Sequence, residues 1–174
     1  MTQYFTSAWY TVPLADSGTL YMVDYFNAKV VVATSQTFTN NVPPTALPVA
    51  GTPTSLQTDA NYVYWIDQGN KKFYRAKKIG ATTSDDITPT SGMPGGTLAN
   101  AFVVDATSNN IYFVSPNSSP NVAVTQQIYV MPKDGSGPAK AIPGALISNY
   151  GDSLSAFAQD ATALYWTTYG FDSS

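Results

Sequence analysis

The sequence predicts an all-β fold of the propeller type, built from four-stranded antiparallel sheets, and three observations lead to this prediction. All 11 acidic residues of the 174-residue chain are aspartates. Only 11% of the residues are charged, against roughly 25% in an ordinary soluble domain, and Ser, Thr and Asn fill the polar positions, which favours strands and turns over helices. A short motif also recurs four times along the chain, while no segment shows the apolar periodicity of a helix.

The recurring motif is an aspartate that opens a short polar turn, followed by a strand of apolar residue, Tyr and then an aromatic residue or Met. The turn aspartates are Asp16, Asp59, Asp105 and Asp160. The strand tyrosines, Tyr21, Tyr64, Tyr112 and Tyr165, are 43, 48 and 53 residues apart. Because propeller blades repeat about every 40–50 residues, we expect one propeller domain or propeller segment of three and a half to four blades. Its repeats cover residues 10–53, 54–100, 101–153 and, incompletely, 154–174.

Within each repeat the strand signals follow one another in the same order. In the first repeat they fall at residues 10–14, 19–23 and 29–34. In the second they fall at 55–58, 62–66 and 72–77, with a weaker fourth signal at 87–90. In the third they fall at 101–104, 111–114 and 127–131, and in the fourth around Tyr165. Proline-rich stretches lie between these strands, where a missing ladder N–H does least harm.

The fourth repeat stops after its second strand, so its outer half is absent. An open strand edge is a template for pairing with another chain. We therefore expect either a homo-oligomer, in which another copy supplies the missing strands, or a chain that is part of a longer propeller. A self-sufficient four-bladed ring is the alternative.

The motif has a recognisable form in the second and fourth copies, as Tyr-Trp-Ile-Asp from Tyr64 to Asp67 and as Tyr-Trp-Thr from Tyr165 to Thr167. The stretch Met-Pro-Lys-Asp-Gly, at residues 131–135, closes a third strand. Over most of the chain these repeats resemble the YWTD-type repeats of the low-density-lipoprotein-receptor β-propeller and its bacterial relatives.

The resemblance implies that the aromatic pair, such as Tyr64 and Trp65 or Tyr165 and Trp166, packs between neighbouring blades. It also implies that the last aspartate of the motif, here Asp67 and Asp24, ties adjacent blades by hydrogen bonds. Two copies depart from the pattern at the Asp position, which holds Ser115 and Thr168. Two copies depart at the Trp position, which holds Phe113 and Met22.

Composition excludes several kinds of chemistry. The chain has no Cys and no His, so disulfides, thiolate catalysis, Cys-ligated metals and an imidazole base are all absent. One arginine, seven lysines and a net charge of −3 leave no basic face for nucleic acid. No apolar run approaches the roughly 18 residues of a membrane span, and no signal-peptide pattern opens the chain.

Aspartates provide the candidate metal and catalytic groups. The four turn aspartates could ligate calcium, but caps for their own turns are the favoured interpretation. The loops at residues 67–70 and 134–137 could also ligate calcium, but they lack the spacing of a calcium loop. Asp85 and Asp86 are predicted to lie in a solvated loop, since neighbouring side chains of an extended chain point apart. The sequence therefore predicts no catalytic site and no cofactor, with calcium as the alternative.

Aromatic residues are abundant, at 13% of the chain. Those in the repeat register are predicted to pack between blades. Those outside it are candidates for an exposed ligand-binding surface, and they are Trp9, Tyr10, Tyr25, Phe26 and Tyr169. The basic cluster formed by Arg75 and Lys71, Lys72, Lys77 and Lys78 is predicted to guard an exposed sheet edge.

The function predicted from these features is that of a non-catalytic propeller module, extracellular or on a cell surface, that binds a protein or glycan or assembles with its own copies. A lectin-like propeller that binds glycans is the alternative. A propeller-type hydrolase or lyase that uses paired aspartates is less favoured, because the sequence offers no activated nucleophile and no pair at catalytic spacing.

Overall fold

The computed structural model describes residues 13–40, 42–94, 101–116, 126–147, 153–160 and 162–169. These residues form fourteen strands and one short helix, which confirms the all-β prediction. The strands belong to four antiparallel sheets of four, four, four and two strands. By its contacts the chain divides into two compact units, Met1–Asp86 and Ile87–Ser174.

The first sheet lies in the first unit and has the order β1 (Leu14–Asp16), β2 (Thr19–Asp24), β3 (Lys29–Thr34) and β4 (Thr45–Leu47). Ser17 and Gly18 make the tight β1–β2 turn with φ angles of 48° and 79°, as two-residue hairpins with right-handed strand twist require. A single helical turn, α1 (Ser35–Thr39), follows β3. The sequence did not predict this helix or β4, and the predicted first strand overlaps the described residues only at its end.

The second sheet completes the first unit, in the order β5 (Pro53–Thr58), β6 (Tyr62–Asp67), β7 (Lys72–Lys77) and β8 (Asp85–Asp86). The first three strands match the predicted ones. The sequence predicts the fourth strand at residues 87–90 and a loop at Asp85 and Asp86. Both predictions are wrong, because Asp85 and Asp86 themselves form the fourth strand and pair with β7.

The interpretation of the basic cluster as an edge guard is also wrong, since β7 lies between β6 and β8. Two of the three basic side chains of β7 are instead paired with aspartates of β8. Lys72 contacts Asp86 at 2.7 Å and Arg75 contacts Asp85 at 3.2 Å. Asp85 and Asp86 are nevertheless exposed, as predicted, and each has a different cationic partner.

The core of the first unit lies between its two sheets. Tyr21 and Val23 of β2 belong to the same buried cluster as Val63 and Trp65 of β6. Leu56 of β5 and Tyr74 of β7 complete the β6 side of this cluster. Successive residues of a strand face opposite sides of a sheet, so the Trp position of the second repeat faces the sheet of the first.

The second unit contains the third sheet, in the order β9 (Phe102–Val104), β10 (Asn110–Pro116), β11 (Gln126–Pro132) and β12 (Lys140–Ile147). It also contains the two-stranded sheet of β13 (Ser153–Gln159) and β14 (Leu164–Tyr169). Ile87 is buried in this unit, where its backbone lies 2.8 Å from the site that a Cβ on Gly135 would occupy. The sequence did not predict β12, and it implied a first strand of the fourth repeat, here β13, without giving its bounds.

In the second unit, as in the first, the later sheet packs one face against the earlier sheet. Phe157 of β13 and Leu164 of β14 pack against a buried cluster that contains Val114 of β10 and Ile128 of β11. Trp166 lies two residues beyond Leu164 on the same strand and therefore shares its face. In each unit the Trp position of the later repeat thus faces the sheet of the earlier one.

Candidate functional site

The turn aspartates hold their own turns at three of the four positions. Asp59 accepts hydrogen bonds from the amides of Asn61 and Tyr62, at 2.9 and 3.0 Å. Asp105 accepts from the amides of Thr107 and Ser108, and Asp160 from those of Thr162 and Ala163. These are Asx turns, the local role favoured by the sequence.

The hydroxyl of the motif tyrosine adds a further bond in two of the copies. Tyr64 donates to Asp59, and Tyr165 donates to Asp160, each at 2.7 Å. Burial raises the pKa of the Tyr64 phenol, and the hydrogen bond to Asp59 raises it further. Tyr64 therefore remains a neutral donor throughout the physiological range.

Asp16 differs from the other three turn aspartates, because its carboxylate forms an ion pair with the ammonium group of Lys78. Lys78 follows β7 and also donates to the backbone oxygen of Asp59. One ammonium group thus joins the β1–β2 turn of the first sheet to the β5–β6 turn of the second. Hydrogen bonding to Lys78, and then to Ser17, lowers the pKa of Asp16.

The aspartates at the end of the second strand, Asp24 and Asp67, are buried. Each accepts two hydrogen bonds from the asparagine three residues later, from its backbone amide and from its side-chain amide. These bonds close the β2–β3 and β6–β7 hairpins in the same way. The tie between adjacent blades that the family resemblance implies for Asp67 and Asp24 stays a prediction.

Cross-strand rows of apolar side chains organise the second and third sheets. In the second sheet the row runs Leu56, Trp65 and Tyr74 across β5, β6 and β7. In the third sheet it runs Phe102, Phe113 and Tyr129 across β9, β10 and β11.

The aromatic rings of these rows stack on one another. The Trp65 and Tyr74 centroids are 6.0 Å apart, and those of Phe113 and Tyr129 are 5.6 Å apart. Both Trp65 and Phe113 are fully buried, which fits the packing role predicted for the motif aromatics.

The corresponding row on the two-stranded sheet has two members, Phe157 and Trp166, which lie opposite each other. Among the described residues, β14 pairs only with β13. Trp166 is 40% exposed and Tyr165 is 52% exposed, whereas Trp65 and Tyr64 are 0% and 1% exposed. The packing role predicted for Tyr165 and Trp166 is therefore not fulfilled as it is for Tyr64 and Trp65. The shared motif predicts the same buried environment for both Tyr-Trp pairs, and the structure shows it for only one of them.

An open groove of about 470 Å³ surrounds this exposed pair. Its lining comes from both strands of the sheet and consists of Phe157, Ala158, Leu164, Tyr165, Trp166 and Thr167. The lining is mostly apolar and has no charged side chain. We call this surface the β13–β14 groove, and it is the candidate functional site.

The ligand-binding residues predicted from the sequence are not those of the groove. Tyr25 and Phe26 lie in the β2–β3 turn and are 42% and 71% exposed, as a contact surface requires. Tyr169 lies at the end of β14, opposite Ser153. Trp9 and Tyr10 lie outside the described residues.

The predicted absence of a cofactor, and the calcium alternative, stay predictions. No cluster of three or more aspartates occurs within the described ranges, and the turn aspartates there accept bonds from their own turns. No helix in the described part of the chain is long and apolar enough to cross a membrane.

No known family model matches this chain, and none of the curated proteins matches it significantly.

Proposed function

We propose that this chain is a non-catalytic β-propeller repeat module whose β13–β14 groove is a binding surface, used for a protein or glycan or for assembly with its own copies. Each four-stranded sheet would be one blade, and the two-stranded sheet would be the inner half of a further blade. The observation that carries the proposal is the exposure of Tyr165 and Trp166, at positions whose equivalents Tyr64 and Trp65 are buried.

The propeller arrangement is supported by features that recur from sheet to sheet. The described four-stranded sheets have consecutive strands as neighbours, and each unit packs two successive sheets with the later Trp position facing the earlier sheet. The hairpins after β2 and β6 are closed by the same Asp–Asn pair of hydrogen bonds. Sheets related in this way can be repeated radially, as propeller blades are.

A binding role is supported by the chemistry of the groove. Large exposed aromatic side chains that line a concave surface mark interaction sites. The groove carries no group that could act as a nucleophile activated by a base, and the nearby carboxylate of Asp160 is occupied by Tyr165, Thr162 and Ala163. The proposed module is therefore not an enzyme, and an extracellular or cell-surface location belongs to the same proposal.

Glycan binding is the second candidate, and one observation favours it. The groove has a volume of about 470 Å³, which is within the range of ligand pockets, and the partly exposed Trp166 is among its lining residues. A sugar ring could stack there with its apolar face against an aromatic ring.

Two measurements on wild-type protein and Trp166→Ala test the proposed function. A glycan array reports sugar binding, and light scattering after size exclusion reports association over a range of concentrations. We expect at least one of these activities in the wild type and its loss in Trp166→Ala, with unchanged circular dichroism. If the variant keeps every activity of the wild type, or the wild type shows none, the groove is not the working surface.

A further inference from the structure

We propose that a bulge in β12, residues 142–145, keeps the outer edge of the third sheet from pairing with a strand of another protein molecule, and that the side chain of Gln127 holds this bulge in place. The outer edge is the side of β12 that faces away from β11. It belongs to a different sheet from the β13–β14 groove, so the inference does not rest on the proposed function. It names an edge that assembly of this chain does not use.

The bulge is visible in the pairing of β11 with β12. Gln127 and Tyr129 of β11 are both paired with β12, and a single residue of β11 lies between them. Their partners, Leu146 and Ala141, are separated by residues 142–145. The extra residues cannot join a regular ladder, so they interrupt β12 between two short paired segments.

Two residues of the bulge turn the backbone away from the sheet. The ring of Pro143 fixes its φ, and Gly144 has a φ of +76°. Proline followed by a residue of positive φ is the pattern of a type II turn. Both residues are exposed, and a Cβ added to Gly144 would have nothing within 4 Å. The turn therefore points into solvent and breaks the row of backbone groups that another strand would need for pairing.

The side chain of Gln127 ties the bulge to the sheet. Gln127 is buried, and its Nε2 donates to the backbone oxygens of Ile142 at 2.8 Å and of Ala145 at 3.2 Å. These two residues are the ends of the bulge. Nε2 also donates to the backbone oxygen of Ile128 at 3.1 Å. Because a buried carbonyl without a donor is unfavourable, Gln127 compensates for ladder bonds that the bulge loses.

The outer strands of the other two four-stranded sheets are short. The strand β4 has three residues and β8 has two, whereas β12 has eight. Natural proteins prevent edge-to-edge pairing by very short edge strands, by charges, by proline and by bulges. Two outer strands are therefore protected by their length, and the long one carries the proline and the bulge.

The edge of β12 is otherwise suited to pairing. Among the described residues β12 pairs only with β11, and Lys140 and Ala141 are exposed. After Lys140 the strand contains no charge. Without Pro143 and Gly144 it would be a continuous apolar strand, which is the kind of segment that pairs with other chains. The bulge thus lies in the outer strand that most requires protection.

Deletion of residues 143–145 combined with Gln127→Val tests the proposal. The deletion leaves Ile142 opposite Ile128 and keeps the pairs on either side, so it produces a regular ladder. The valine avoids a buried amide that has lost its acceptors. In light scattering after size exclusion we expect a mass of about twice that of the wild type, or more, at the same concentration, because each new edge pair joins two molecules.

Adding Ala141→Lys to this variant is the matched control. It places a charge on the regular edge without restoring the bulge, and an edge lysine opposes strand pairing. We expect the mass to return to that of the wild type. Circular dichroism and urea unfolding show whether each variant folds. Association that persists with the lysine overturns the proposal, and so does a folded deletion variant with the mass of the wild type.

Gln127→Val in the otherwise unchanged chain tests the tie itself, and it decides the matter if the deletion variant does not fold. Loss of the hydrogen bonds to the bulge should make amide hydrogen exchange in β12 about tenfold faster or more. Exchange in β9, at the other edge of the sheet, should not change. Equal exchange in the variant and the wild type would show that Gln127 does not hold the bulge, and the proposal would fail.

Discussion

Gly51 lies directly against the carboxylate of Asp67, so closely that a Cβ added to Gly51 would stand 1.9 Å from Oδ2 of Asp67. Gly51 lies between β4 and β5, on the segment that leads from the first sheet to the second, and it has a φ of +73°. Asp67 is fully buried and is held by the two hydrogen bonds from Asn70. The motif aspartate therefore requires a residue without a side chain at this point of the connection.

The change Gly51→Ala should destabilise the first unit by about 3 kcal/mol or more, because it adds overpacking against a fixed carboxylate to the cost of positive φ. Gly80→Ala is the matched control, with a φ of +70° and nothing within 4 Å of the added Cβ. Gly80→Ala should lower the free energy of unfolding by about 1 kcal/mol, because only the cost of the positive φ remains. Urea unfolding of both variants measures the difference, and equal losses would show that Asp67 yields to the methyl group.

The ion pair of Lys78 with Asp16 gives a second prediction, about pH. The side chains of this pair are 15% and 23% exposed, against 43% and 42% for Lys72 and Asp86. Lys78→Met should lower the free energy of unfolding by about 1 kcal/mol at neutral pH, since it removes a charge-assisted hydrogen bond that joins two sheets. Lys72→Met is the control and should have an effect too small to resolve.

The sign of the pH effect follows from the lowered pKa of Asp16, for which hydrogen bonding to Lys78 is the first cause. A carboxyl with a lowered folded pKa stabilises the protein above its unfolded pKa of about 3.9, and this contribution is lost as the pH falls through the folded value. The gap between wild type and Lys78→Met should therefore close below about pH 4. A gap that persists at pH 2 would mean that Lys78 acts through its hydrogen bond to the backbone oxygen of Asp59 or through packing, and not through the charge of Asp16.

The Asx turns give a third prediction, because the same turn occurs in a buried and in an exposed setting. Burial acts to raise the pKa of Asp105, but hydrogen bonds from Ser108 and Thr107 outweigh it, so that the pKa is lowered. Asp105→Ala should cost about 2 kcal/mol at neutral pH, because four donors of a buried turn lose a charged acceptor.

Asp160→Ala removes the equivalent acceptor from an exposed turn and should cost less. By the same sign argument, the loss in Asp105→Ala should shrink as the pH falls below about 4. Thermal unfolding between pH 2 and pH 7 measures both variants. A larger effect at Asp160 than at Asp105 would contradict the dependence on burial.

The strands that the sequence predicted well are those whose own residues carry the signal. The motif strands β2, β6 and β10 alternate or run apolar with β-branched and aromatic residues, and their hairpin partners β3, β7 and β11 do the same. The strand β8 has no such signal, because aspartate disfavours strands. Its pairing is stabilised by Lys72 and Arg75 on the neighbouring strand, which the local sequence does not reveal.

The candidate site shows the same limit. The pattern Tyr-Trp is identical at residues 64–65 and 165–166, and the pattern predicted packing for both pairs. Trp65 is buried between Tyr74 of the next strand and the cluster that includes Val23 of the first sheet, so its burial is a property of the packed sheets and not of the motif.

The final prediction compares the two tryptophans in stability. Trp65 is fully buried, stacks on Tyr74 and donates from its indole nitrogen to the backbone oxygen of Ala50 at 3.2 Å. Trp65→Ala should therefore lower the free energy of unfolding by about 4 kcal/mol, as large aromatic truncations in a core do. Trp166→Ala should cost about 1 kcal/mol in the monomer, because less apolar surface is removed from a buried setting.

The measurement is urea unfolding at a protein concentration low enough to keep the wild type monomeric, followed by circular dichroism. The matched changes Trp65→Phe and Trp166→Phe keep a ring at each position and should recover part of each loss. If the β13–β14 groove assembles with its own copies, as proposed above, higher concentration would add a stabilisation that Trp166→Ala removes and Trp65→Ala does not, by mass action. Equal losses at the two positions at low concentration would show that Trp166 is already packed within one chain, and Trp166 could then not serve as the aromatic anchor of the β13–β14 groove.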